Sequence, residues 1–141
     1  MQIFVQIHPF PGKQLLQSFE ALAERLGKMP GMYFEMDGSF VWVDHDTVPP
    51  GQMDGMVYDL NGRLEYVEIK GACNARQWGV LCSAVCGFEQ FAKGAELDCS
   101  EFDYSETDRM ARVHRVDEGS WTTLSEVASL LDMGRSGFAV E

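Results

Sequence analysis

The sequence predicts an α+β fold, with a mixed, mostly antiparallel sheet and the element order β-α-ββ-ββ-α-β-α. Three observations lead there. Two segments repeat apolar residues at helical spacing, and a third carries a helix-capping signature. Four short apolar runs fall in pairs around the turn dipeptides Asp37-Gly38 and Asn61-Gly62. Short antiparallel strands interleaved with single helices fit one mixed sheet better than repeated parallel units. At 141 residues the chain is long enough for one domain with a sizeable core, taken as residues 1–141.

The elements follow in order. Residues 2–7, "QIFVQI", read as a strand closed by the turn residues of "HPFPGK". Leu15, Leu16, Phe19, Leu22, Ala23 and Leu26 share one stripe of a helix over 13–26, with Gly27 placed to stop it. "MYFEM" and "SFVWV" form a hairpin around Asp37-Gly38. The Pro49-Pro50 pair makes 44–52 a loop, because proline cannot donate to a strand ladder. A second hairpin covers 53–71, and a helix over 74–91 gathers Trp78, Leu81, Cys82, Val85 and Phe88 on one face despite Gly79 and Gly87. Residues 96–108 hold six acids and no base, the pattern of a loop or mobile surface. "ARVHRV" (111–116) is a strand. "TTLSEVASLL" is a helix with Thr123 as N-cap and Glu126 at the third helical position, a capping box.

Charge narrows the function classes. Eleven Lys and Arg against 22 Asp and Glu give a net charge of −11. A field of that sign disfavours broad contact with duplex nucleic acid and suits a basic partner. No run is long and apolar enough to span a membrane. "MQIFVQIHPF" lacks the basic start and apolar stretch of an export signal, so a cytoplasmic location with reduced thiols is expected. Cys73, Cys82, Cys86 and Cys99 contain no C-x-x-C pair. Cys82 and Cys86, one helical turn apart, read as core filling.

The segment that offers chemistry is "MDGMVYDLNGRLEYVEIKG" (53–71), which ends in Glu68-Ile69-Lys70. Its turn decides whether charged groups converge. A two-residue type I′ turn at Asn61-Gly62 pairs Leu60 with Arg63. That places Asp54 across from Ile69, on the face away from Glu68 and Lys70. A type I turn over Asp59–Gly62 with a glycine bulge instead pairs Asp59 with Arg63. Asp54 then faces Glu68, and Gln52 faces Lys70. A one-residue slip exchanges the faces of a strand, so the alternatives are mutually exclusive.

Asp54, Glu68 and Lys70 resemble the motif of the PD-(D/E)XK nuclease superfamily, which carries an Asp on one hairpin strand and Glu-x-Lys on the next. The resemblance covers about 75 residues at best. It implies Mg²⁺ or Mn²⁺ held by Asp54 and Glu68, with Lys70 orienting or polarising the attacking water. Gln77 matches the glutamine that some of these modules carry on the following helix, and Glu20 or Glu24 the acid on the preceding one. Met53 departs from the usual proline, and no Lys or Arg cluster is available to hold nucleic acid.

Other candidates are weaker. His45 lies between Asp44 and Asp46 in a loop with no second histidine nearby. His8, next to Pro9, reads as structural, and nothing couples His114 to a nucleophile. No G-x-S-x-G or glycine-rich phosphate loop is present. Tyr33, Phe34, Phe40 and Trp42 read as core, because residues 29–62 contain no Lys or Arg to interleave with them.

Two readings follow. The first is a small acidic binding or accessory domain that acts through protein or small-ligand contacts. It has no chemistry of its own and needs no cofactor, and 96–108 would meet a basic protein. The second is a metal-dependent nuclease using Asp54, Glu68 and Lys70. The oligomeric state is not legible in the sequence. Apolar residues on both faces of 53–71 predict a sheet covered on both sides.

Overall fold

The computed structural model describes residues 2–15, 18–45, 51–87 and 103–140. Its elements run β1 (Gln2–Pro9), α1 (Phe19–Gly27), β2 (Met32–Phe34), β3 (Ser39–Asp44), β4 (Gly51–Leu60), β5 (Arg63–Ala72), α2 (Ala75–Cys86), α3 (Ser105–Met110), β6 (Ala111–Arg115), β7 (Ser120–Thr122) and α4 (Leu124–Val140). The fold is α+β, as the sequence predicts. The seven strands form one antiparallel sheet in the order β2-β3-β4-β5-β1-β6-β7. No described helix is long and apolar enough to cross a membrane.

Strand alternation sorts the sheet into two faces. Val5, Ile7, Phe40, Trp42, Met53, Val57, Val67, Ile69, Ala111 and Val113 turn to one side and are buried. Leu22 and Leu26 of α1, Trp78, Leu81 and Val85 of α2, and Leu124, Val127 and Leu131 of α4 join the same cluster. The Trp78 indole, fully buried, donates from Nε1 to the Leu124 carbonyl at 2.9 Å and ties α2 to the start of α4. The described helices α1, α2 and α4 therefore lie on one side. This corrects the expectation of a sheet covered on both faces: among the described residues, no helix packs over the other face.

Boundaries differ from the sequence reading for local reasons. The first helix begins at Phe19 rather than near residue 13, because Ser18 caps it by accepting from the Ala21 amide at 3.1 Å. Leu15 is still buried, but in the irregular segment before the helix. Helix α2 ends at Cys86, where Gly87 adopts φ 82° and its N–H turns back to Ala84 and Ser83; residues 88–91 lie outside the described residues. The loop expected at 96–108 is corrected in part. Residues 105–110 form α3, and Asp108 accepts from the Ser125 hydroxyl at 2.6 Å and from its amide at 3.2 Å, clasping α3 to α4. Residues 96–102 and Cys99 lie outside the described residues.

The first hairpin also departs from its expected two-residue turn. Glu35 N–H donates to Ser39 at 2.8 Å and Gly38 N–H to Glu35 at 3.0 Å, closing a three-residue loop with Gly38 at φ 99°. A side chain on Gly38 would meet the Val57 carbonyl, so the glycine serves both the turn and the contact with β4.

Candidate functional site

The second hairpin resolves the register question in a third way. Asn61 (φ 53°) and Gly62 (φ 83°) form the two-residue turn, and Leu60 pairs with Arg63 and Asp59 with Leu64. Tyr58 then pairs with Tyr66, so Glu65 is the extra residue of a β-bulge. The bulge shifts everything beyond it by one. Asp54 lies across from Lys70, and Met56 across from Glu68. Neither expected partner of Asp54, Ile69 or Glu68, is the observed one. The cause is visible in β5. Leu64 and Val67 are both buried although three residues apart, and only an inserted residue lets both point inward.

Asp54, Glu68 and Lys70 thus share the open face. Each has a neighbour of its own there. Gln52 Nε2 donates to Asp54 Oδ1 at 3.2 Å, and Gln6 Nε2 donates to Glu68 Oε1 at 2.9 Å. The Lys70 ammonium sits 5.1 Å from the centre of the Phe4 ring. The helical residues that the nuclease resemblance would add do not join them. Glu20 and Glu24 are exposed on α1, where Glu24 pairs with Lys28 at 3.3 Å. Gln77 is buried in the helical layer and caps α2. Its backbone N–H donates to Asn74 Oδ1 at 2.8 Å, and its Oε1 accepts from the Asn74 N–H at 3.0 Å.

Alongside this trio runs a ladder of rings that the sequence reading passed over. Tyr58 stacks on Tyr66 at 4.4 Å, Tyr66 on His8 at 4.6 Å, and His8 meets the edge of Trp121 at 5.2 Å. His114 lies 4.9 Å from Trp121, and the Arg112 guanidinium covers the Trp121 ring at 3.8 Å. The rows come from register: Gln6, His114 and Trp121 are cross-strand neighbours, as are His8 and Arg112. Trp121 remains 47% exposed, a large apolar surface at the margin of the face. Burial, then the nearby His114 and Arg112 charges, hold the His8 imidazole below its ordinary pKa. Its Nε2 lies 2.9 Å from Gln6 Oε1, which links the ladder to Glu68 through Gln6.

The remaining candidates are placed simply. His45 is exposed, and its neighbour Asp46 lies outside the described residues. Phe40 and Trp42 are core, whereas Tyr33 is 64% exposed. Cys73, Cys82 and Cys86 are buried. Burial drives the Cys82 and Cys86 thiols up, Cys86 to about 12 with help from Asp108. Among the described residues, no three His, Cys, Asp or Glu side chains group as a metal set. No protein-family model, curated protein or solved structure matches the chain.

Proposed function

We propose that the chain is a small acidic binding module, acting through a protein or small-ligand contact without chemistry of its own, and that the open face of the sheet makes that contact. The observation that carries this reading is the continuous row Tyr58–Tyr66–His8–Trp121–His114, partly exposed on a face that no described helix covers. Rings fixed on a rigid sheet offer contact area while losing little conformational freedom on binding. The acidic segment is a second contact for a basic protein, through its acids other than Asp108, which is committed to Ser125.

Titration of the ¹⁵N-labelled chain against nucleotides, sugar phosphates, dicarboxylates and short basic peptides tests the reading. Perturbations are expected on Gln6, His8, Tyr66, Arg112, His114 and Trp121, or on 103–107 for the basic peptides. Responses confined to the helical layer would overturn it.

One observation favours a second reading, a metal-dependent PD-(D/E)XK-like nuclease. Asp54 and Lys70 are cross-strand partners with Glu68 on the same face. Under it, Asp54 and Glu68 would hold Mg²⁺ or Mn²⁺ and Lys70 would orient water. Each carboxylate already has one oxygen engaged, by the Gln52 or the Gln6 amide.

A further inference from the structure

The bulge at Glu65 has a second effect. Pairing of β1 with β5 stops at Ile7–Val67, just before the extra residue, and the two strands part. Between them opens a groove of about 700 Å³, walled by the Pro9–Gln14 segment on one side and the start of β5 on the other. The start of α1 is tied to the β4–β5 hairpin beside this groove wall: the Phe19 N–H donates to the Gly62 carbonyl at 2.9 Å, and Ser18 bridges to Arg63. That volume lies within the usual range for small-ligand sites.

Its charge runs against the rest of the molecule. In a chain of net charge −11, the groove is lined by Lys13, Arg63 and Arg112 together with His8, against the single carboxylate of Glu65. Neither Lys13, Arg63 nor Arg112 forms an ion pair with another described residue. The Arg112 Nε is buried and has no hydrogen-bond partner among the described residues. A desolvated guanidinium N–H without an acceptor is costly, and an anion is the partner it fits best. Stacking on Trp121 fixes the guanidinium plane, so little freedom is lost on binding.

We propose that this groove binds a small phosphate-bearing anion, held by Arg112 with Arg63 and Lys13 at the rim. The inference rests on the binding-module reading above and gives that module its ligand class. Lys13 and Arg63 are exposed and able to adjust to the ligand, whereas Arg112 is half-buried and set in place.

The test uses the full chain with inorganic pyrophosphate, ATP, adenosine and citrate, read by calorimetry and by amide and Arg Nε–H resonances. Pyrophosphate and ATP are expected to bind, shifting the Arg112 Nε–H and the amides of 12–14. Equal affinities mean that the phosphates alone are recognised, and tighter ATP binding means that the nucleoside fills the remaining groove. Arg112→Gln should weaken pyrophosphate about tenfold or more, the loss of one charged hydrogen-bond pair. If that variant fails to fold, the exposed double variant Lys13→Gln/Arg63→Gln carries the same expectation. Lys28→Gln, on α1, should change nothing. Citrate binding as tightly as pyrophosphate, adenosine binding where pyrophosphate does not, or variants that bind unchanged would each overturn the proposal. Silence to pyrophosphate with open-face responses to other members of the panel ends the phosphate assignment and leaves the binding-module reading standing. Silence of the whole face ends both.

Discussion

Asp54 stands directly across the β4–β5 ladder from Lys70, and the bulge at Glu65 puts it there. The same shift places Glu68 beside them on the open face and separates the nuclease reading from the binding reading in one measurement. If Asp54 and Glu68 hold a divalent cation, Mg²⁺ raises the melting temperature above that at matched ionic strength, and Asp54→Ala removes the rise. A ligand at a hundred times its dissociation constant stabilises by about 2.7 kcal/mol. The binding-module reading expects no rise beyond the ionic-strength control.

Gly55 supports Phe40, its cross-strand partner on β3. A Cβ at Gly55 would run into the buried Phe40 ring, which would have to leave its place in the core. Gly55→Ala is expected to destabilise by about 1–3 kcal/mol, the range for overpacking. Chemical denaturation checks this, and an unchanged midpoint would show that the ring has room to move.

Trp78→Phe keeps most of the apolar volume and removes the donor to Leu124. The expected cost is about 1–2 kcal/mol, because a buried carbonyl loses a partner. Hydrogen exchange should speed up first at the start of α4, and uniform acceleration across the sheet would count against the Trp78–Leu124 tie.

Acid should weaken the fold through His8. Its imidazole has a lowered pKa in the native state, mainly from burial, so the unfolded chain binds the extra proton more readily. This contribution is complete above the ordinary histidine value of about 6.5 and is lost as pH falls through that value toward the native one. Melting temperatures from pH 7.5 to 5.5 should therefore fall, and His8→Gln should flatten the slope. An equally steep slope in the variant would assign the effect to other groups.

The described thiols should be inert. With Cys82 and Cys86 held well above the ordinary range by burial, neutral-pH alkylation is expected to spare Cys73, Cys82 and Cys86 until denaturant is added. Mass spectrometry of the native chain reads this directly, and rapid labelling of Cys82 would contradict the packing around it.

Much of the fold was legible because its signals are local. Trp78, Leu81, Cys82 and Val85 announce α2 by their spacing, Thr123 and Glu126 announce α4, where the Glu126 amide reaches the Thr123 hydroxyl at 3.0 Å, and Asn61-Gly62 marks where its hairpin reverses. The site was harder to read. Its register hinges on one extra residue in β5, whose trace in the sequence is the three-residue spacing of Leu64 and Val67. Neither turn type at 59–62 predicts that bulge. The ring ladder gathers residues from β1, β4, β5, β6 and β7, and β7 is three residues long, too short for an alternation to register. Strand order alone brings His8 between Tyr66 and Trp121, and strand order is a long-range property.

The sheet ends on both flanks in strands of three residues, β2 and β7. A visiting strand from another chain would find too few free rungs at either margin to hold on, which guards against fibril growth by lateral extension. Lateral addition at the borders of the sheet is thereby disfavoured, whatever its uncovered face goes on to meet.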